Sequence, residues 1–254
     1  MKTLRVAATV AAVALTLAGC VARENPSDES SGSDFSASAT ETETESQSAG
    51  GTTTEGDCGF KTDESGQEPA VGLPPDNGPA TATSLLLVTS AGPITIQLDA
   101  GRAPCTVQSM VYLAGAGFFD NTNCHRLTAS AGLKVLQCGD PEGTGGGGPG
   151  YVVPDELPTD LPAGQAGADG TQTVVYQRGI VAMANAGPGT TGSQFFLVYG
   201  DSTLPPNYSV WGTVDATGLA TLDQIAAAGI TPGQNGAEDG APATPVTIQS
   251  TKTA

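Results

Sequence analysis

One stretch constrains this chain more than any other: Met183-Ala184-Asn185-Ala186-Gly187-Pro188-Gly189-Thr190-Thr191-Gly192-Ser193, running straight into Gln194-Phe195-Phe196. It leaves one apolar, β-branched run (Ile180 to Met183) and enters another (Phe195 to Val198). Between them lie a small-residue bend and two polar amides, an order that no generic loop requires. Strand alternation sends Phe195 and Phe196 to opposite faces. Only one of them can line a pocket; the other is read as core.

The surrounding pattern is one of short strands. Leu85 to Thr89 and Ile94 to Leu98 flank Ser90-Ala91-Gly92-Pro93, which reads as a hairpin. Pro104 opens a helix with Val107, Met110, Val111 and Ala114 at i, i+3, i+4 and i+7, and Gly115 and Gly117 end it. Further strands are predicted at 124–128, 133–138, 179–183, 194–198, 210–214 and 245–250. A second helix is predicted from Leu219 to Ala228, with Leu219, Leu222 and Ile225 inward and Gly229 as its stop. Eight strands and two helices over residues 81–254 imply one closed all-β domain, long enough for a single core.

Residues 1–19 read as a secretory signal peptide: Lys2 and Arg5, a short apolar run from Val6 to Ala14, then Leu17-Ala18-Gly19-Cys20. The apolar run is too short to span a bilayer. Leu-Ala-Gly-Cys resembles the bacterial lipobox, which makes Cys20 the lipidated first residue of the mature chain, on the extracytoplasmic face of a bacterial cell membrane. Residues 20–80 are rich in Ser, Thr, Glu, Gly and Pro and predict a disordered tether, because so little apolar surface cannot offset the entropy of ordering. Half of the acids, 13 of 26, lie in 21–80. The net charge of −17 is therefore concentrated in the tether, and no basic patch invites nucleic acid.

The chemistry-bearing residues are few. His125 is the only histidine, and no serine sits in a G-x-S-x-G elbow. The cysteines at 58, 105, 124 and 138 contain no C-x-x-C pair, so a zinc site is not indicated. Gly143 to Gly148 fits G-x-G-x-x-G, but Pro149-Gly150 follows where a nucleotide site needs a helix.

The 183–196 stretch is similar to the MANAGPxTxGSQFF signature of the cyclophilins, the peptidyl-prolyl cis/trans isomerases. Cys124-His125-Arg126-Leu127 resembles their Phe-His-Arg-Ile strand, and Leu136-Gln137-Cys138-Gly139-Asp140 their Gln-Gly-Gly-Asp. The resemblance covers about residues 83–250. It implies a closed eight-stranded barrel capped by two helices, which agrees with the element count. It also implies an enzyme acting on X-Pro bonds of exported or cell-envelope proteins, without cofactor or metal, as a monomer. The rival reading is a catalytically weak chaperone module that binds proline-containing segments.

Prolyl isomerisation requires no nucleophile. Rotation about the X-Pro bond is opposed by a barrier of about 18–20 kcal/mol because resonance stiffens it. In the twisted state the prolyl nitrogen becomes pyramidal and gains a lone pair. A cation hydrogen-bonded to that nitrogen favours the twist, more so in a dry apolar pocket. By resemblance, Arg126 supplies the cation and Gln137 orients it. Ala184, Asn185 and Ala186 pair with the peptide backbone. Gln194 and Phe196 line the pocket, with Phe196 beneath the proline ring. His125 reads as a hydrogen-bonded structural residue.

The chain departs from the family in three places. Thr128 to Leu133 is about three residues longer than the usual turn, which leaves Leu133 or Lys134 at the family's pocket phenylalanine and Val135 at the following methionine. Leu204 stands where many eukaryotic members carry tryptophan. Tyr208 falls about where the family has its pocket histidine. Cys124 and Cys138 flank the inferred 124–138 hairpin and, aligned on the family's turn, fall near opposite one another. Cys58 and Cys105 remain, and four cysteines allow three pairings.

Overall fold

The computed structural model describes residues 58–63, 69–75, 80–167 and 169–254. The signal peptide, Cys20 and the tether up to residue 57 lie outside the described residues. The chain runs β1 (Lys61–Thr62), β2 (Ser84–Thr89), β3 (Gly92–Leu98), α1 (Pro104–Gly115), β4 (Thr122–Asn123), β5 (Arg126–Thr128) and β6 (Lys134–Cys138). It continues through β7 (Tyr151–Val152), β8 (Val174–Tyr176), β9 (Ile180–Met183), β10 (Phe195–Gly200), β11 (Ser202–Leu204) and β12 (Val210–Val214). α2 (Ala216–Ala228), β13 (Ile230–Gly233), β14 (Gly236–Pro242) and β15 (Thr247–Thr253) complete it.

The period-two pattern of the first hairpin is realised as expected. Leu85 and Leu87 of β2 and Ile94 and Ile96 of β3 point inward and are buried. Gly92 turns the chain at a positive φ of 135°, open to glycine without penalty. α1 begins on Pro104, and its first orphan N–H groups are satisfied from a distance. The Glu156 carboxylate accepts from Cys105 N at 2.9 Å and from Thr106 N at 2.8 Å, placing a negative charge at the positive helix end. α2 starts three residues earlier than its apolar spacing predicts, because Asp215 caps it by accepting from Gly218 N. Leu222 and Ile225 are buried and Leu219 half-buried.

Eleven strands form one antiparallel sheet in the order β13-β14-β5-β6-β10-β9-β12-β3-β2-β15-β4, strongly curled around the core. The expected count of eight is exceeded by β13, β14 and the short β4. No ladder joins the edge strands β13 and β4 among the described residues. Met110 and Leu113 of α1, Phe119, Phe195 and Trp211 fill the concave side, each 0 % exposed. Phe195 sits edge-to-face on Phe119 and Trp211, with centroids 5.9 and 5.7 Å apart.

The expected domain boundary at residue 80 is corrected by the chain before it. β1 pairs with β7, Phe60 packs edge-on against Tyr151, and Gln108 Nε2 donates to the Pro75 carbonyl. Cys58 is bonded to Cys105, and Cys124 to Cys138. Residues 58–63 and 69–75 therefore belong to the domain. Composition mislabels them because their apolar partners, Tyr151 and α1, are supplied from far along the chain.

Candidate active site

In an antiparallel sheet, directly opposed residues share a face. The registers Arg126↔Gln137, Gln137↔Phe196, Phe196↔Ala182 and Ala182↔Val210 therefore draw one row across β5, β6, β10, β9 and β12. Phe195 faces the main core, so the row lies on the opposite, convex face. Alternation had reserved one phenylalanine for each side.

A hydrogen-bond relay starts at the basic end of the row. Arg126 Nη1 donates to Gln137 Oε1 at 3.2 Å, and Gln137 Nε2 donates to Gln194 Oε1 at 2.9 Å. Gln194 Nε2 in turn donates to the carbonyls of Gly145 and Gly147, both at 2.9 Å. The glycine-rich segment is thus an anchor for the relay. Asp140 shapes it by accepting from the N–H groups of Glu142, Thr144 and Gly145 at 2.8, 2.8 and 2.6 Å. Burial pushes the Asp140 carboxyl up, but these donors outweigh it and hold it below the usual carboxylate range.

Sequence reasoning missed Asp239. From β14 its carboxylate accepts from Arg126 Nε and Nη2, each at 2.8 Å. That hydrogen bond raises the arginine and lowers the aspartate, so both stay charged. An Asp-Gly dipeptide ordinarily signals a turn, and nothing in it announces a partner 113 residues away. Tyr176 was also missed, although Val174-Val175-Tyr176 carries a strand signal. Its ring contacts Phe196 and Tyr208 at 6.1 Å each, and burial pushes its hydroxyl up to about 12.

Phe196, Val135, Tyr176, Ala182, Val198 and Val210 form a second apolar cluster, with Leu204, Tyr208, Ala184 and Leu133 packed against it. Leu133, rather than Lys134, takes the place beside the row. Phe196 is only 5 % exposed, and the Tyr208 ring stands edge-on to it at 5.6 Å. Asn185 Nδ2 donates to the Asn207 carbonyl, and Ala184 N and Ala186 N bond to Gln194 O and Thr190 Oγ1. His125 differs from expectation: among the described residues neither ring nitrogen has a hydrogen-bond partner, and burial lowers its pKa.

Two open cavities flank the relay. One, about 730 Å³, is lined by Gln137, Gly145–Pro149, Ala184–Ala186 and Gln194, and by Lys61–Asp63. The other, about 550 Å³, is lined by Arg126, Gln137, His125, Thr144, Asn235 and Asp239 among others. Gln137 and Gly145 border both. Among the described residues no group of three or more His, Cys, Asp or Glu side chains is placed to hold a metal.

A curled antiparallel sheet with two helices, carrying Arg126, Gln137, Gln194 and Phe196 on one face, defines the cyclophilin class. Residues 84–253 match the family described as cyclophilin type peptidyl-prolyl cis-trans isomerase/CLD, and the chain belongs to it. It is 55 % identical over 173 residues to a probable peptidyl-prolyl cis-trans isomerase B of Mycobacterium leprae, covering 68 % of this chain and 57 % of that one. The same figure holds over 170 residues for the protein of that description from Mycobacterium tuberculosis, covering 66 % and 53 %. The chain thus matches just over half the length of these curated relatives. The fold is similar to that of a Cryptosporidium parvum cyclophilin type isomerase solved in the presence of the dipeptide Ala-Pro. The TM-score is 0.53 at 26 % identity, over 67 % of this chain and 98 % of that one.

Proposed function

We propose that this chain is a peptidyl-prolyl cis/trans isomerase that stabilises the twisted amide without covalent chemistry. The observation that carries this reading is the relay Arg126–Gln137–Gln194 in register with Phe196. Arg126 presents a fixed cation at the mouth of the apolar cluster and directs an N–H to the prolyl nitrogen as its lone pair develops. That hydrogen bond gains strength only in the transition state, which is the condition for rate acceleration. Phe196 and its cluster carry the ring, and the Asn185 segment pairs with the peptide backbone.

The same reading places proline-containing segments of exported or cell-envelope proteins as substrates and the domain as a monomer. Cys20 is lipidated, and two or more acyl chains anchor the protein at the extracytoplasmic face of the cell membrane. No described helix is long and apolar enough to cross a membrane. The eight-stranded barrel closes through the short link from β4 to β5, which makes the two one bent strand. One observation favours the rival, a weakly catalytic binding module: Asp239 already occupies the Nε–Nη2 edge of the guanidinium.

A protease-coupled assay with a proline peptide on the full chain tests the proposal. Arg126→Ala should lower kcat/KM about a hundred- to a thousandfold, the usual effect of losing one preorganised donor. Near-parental turnover in the folded variant would overturn it and leave the binding module. Release of a Cys20→Ala variant from membranes tests the anchor; unchanged fractionation would overturn that part.

A further inference from the structure

Lys61, Thr62 and Asp63 line the larger cleft together with Asn185, Gln194 and the glycine-rich loop. All three precede residue 84, where the family match begins. This wall is therefore an addition to the family domain. It is held by the ladder contacts Lys61↔Val152 and Thr62↔Tyr151 and by Asp63 N donating to Gly150 O at 3.1 Å. Phe60 packs edge-on against Tyr151 at 5.9 Å, and the Cys58–Cys105 disulfide ties the segment to the first turn of α1. Gly150, whose carbonyl receives Asp63 N, lies three residues beyond Gly147, one of the two glycines that hold Gln194.

Lys61 is the one cation lining this cleft among the described residues. The remaining lining groups among the described residues are amides, hydroxyls, glycine backbone, the apolar side chains of Pro149, Val152, Ala184, Ala186 and Pro188, and one anion, Asp63. A cation and an anion line the wall together, so it is not a general anion trap. We propose that β1 is a substrate-binding wall, in which Lys61 receives an acidic side chain of a proline-containing segment long enough to pass Gln194. The proposal rests on the peptide-binding reading above and names the substrate class it selects: extended acidic segments over short neutral ones.

The wall depends on its clamp. A two-residue ladder is too short to persist alone, and segments with few contacts open locally. Without the Cys58–Cys105 bond the wall loses its fixed position, and the preorganisation that favours long segments goes with it. The relay at Arg126 contains neither cysteine.

The test uses the full chain, with Lys61→Glu and the pair Cys58→Ser/Cys105→Ser. The probes are a neutral proline tetrapeptide and an extended proline decapeptide in glutamate and glutamine forms. Calorimetry reads binding, and exchange spectroscopy reads isomerisation. The parent should bind the glutamate decapeptide about two- to fivefold more tightly than the glutamine form, as expected for a partly exposed ion pair, and the ratio should shrink with added salt. Lys61→Glu should abolish or invert the ratio and leave tetrapeptide turnover unchanged. The double cysteine variant should weaken decapeptide binding several-fold and spare the tetrapeptide. An identical glutamate-to-glutamine ratio in parent and Lys61→Glu overturns the proposal, and so does equal loss on short and long peptides. Lys61→Glu, at an exposed position, decides the matter should the cysteine variant not fold. A parent that isomerises nothing, yet keeps the Lys61-dependent ratio, would sink the isomerase reading alone.

Discussion

Asp239 grips Arg126 with both carboxylate oxygens, each 2.8 Å from a guanidinium nitrogen, and so fixes the plane of the charge from a hairpin 113 residues away. The Arg126 and Asp239 side chains are 35 % and 20 % exposed, and solvent screening limits the pair's stabilisation to about 1 kcal/mol or less. Its importance is geometric. With Nε and Nη2 committed to Asp239 and Nη1 to Gln137, the remaining N–H vectors point in fixed directions.

Asp239→Asn should therefore lower kcat/KM by about tenfold or less, the scale of a positioning effect, while lowering stability by about 1 kcal/mol or less, the most that a solvent-screened pair contributes. Steady-state kinetics with a proline peptide and thermal melting check both. Increased turnover would mean that Asp239 competes with substrate instead of positioning the arginine.

Stability should fall in two stages as pH is lowered. Burial lowers the His125 pKa, so the unfolded chain takes up a proton below its usual value of about 6.5 while the folded chain resists it. Melting temperatures should begin to drop there. Asp140 and Asp239 are depressed below the usual carboxylate value of about 3.9, so their stabilisation is present above it and is lost as pH falls further. His125→Asn should erase the first stage and keep the second, as followed by melting from pH 8 to 3.

Phe195→Ala and Phe196→Ala should each destabilise the fold by about 3–5 kcal/mol, because both rings are buried. Only Phe196→Ala should also impair peptide binding at temperatures where both variants are folded, since Phe195 belongs to the opposite face. Denaturant titration and peptide calorimetry distinguish them. Equal binding losses would contradict the two-sided assignment.

Asp140→Ala should release the glycine-rich loop. Backbone donors at 142, 144 and 145, which lie on exposed residues, would lose their charged acceptor, and a hydrogen bond to a charged group contributes about 1.5–3 kcal/mol. Amide exchange at Thr144 and Gly145 should accelerate, and turnover should fall because Gln194 loses its fixed carbonyl partners. Protection unchanged at those amides would show that the loop holds its shape without the carboxylate.

The parts of the molecule built from contiguous apolar period were legible in the sequence. β2, β3, β6, β9 and α1 lie within one or two residues of their expected places. The relay positions were legible because Arg126, Gln137 and Gln194 sit in motif context. What escaped was non-local. Apart from Ile230 and Thr231, the strands of the β13–β14 hairpin are made of Gly, Ala, Pro, Asp and Glu residues with low strand preference; the hairpin's order comes from pairing with β5 and from the Arg126–Asp239 bond. The early start of α2 depended on one capping side chain, Asp215. Residues 58–75 read as tether because a cysteine and one phenylalanine are too sparse to predict a docked strand.

The row from Arg126 to Val210 also acts as a ruler. It crosses five strands, so its four spacings of about 4.8 Å span roughly 19 Å, near the length of six extended residues. Ala182 and Val210 at its far end are buried, so a peptide meets only the Arg126–Gln137 end and finds the sheet's own amides there already paired. Its backbone must be recognised by the loops at the margin, around Asn185 and the 145–149 glycines. Evolution can therefore redraw the clientele of such a domain by editing those margins, with no change to the strands that make it fold.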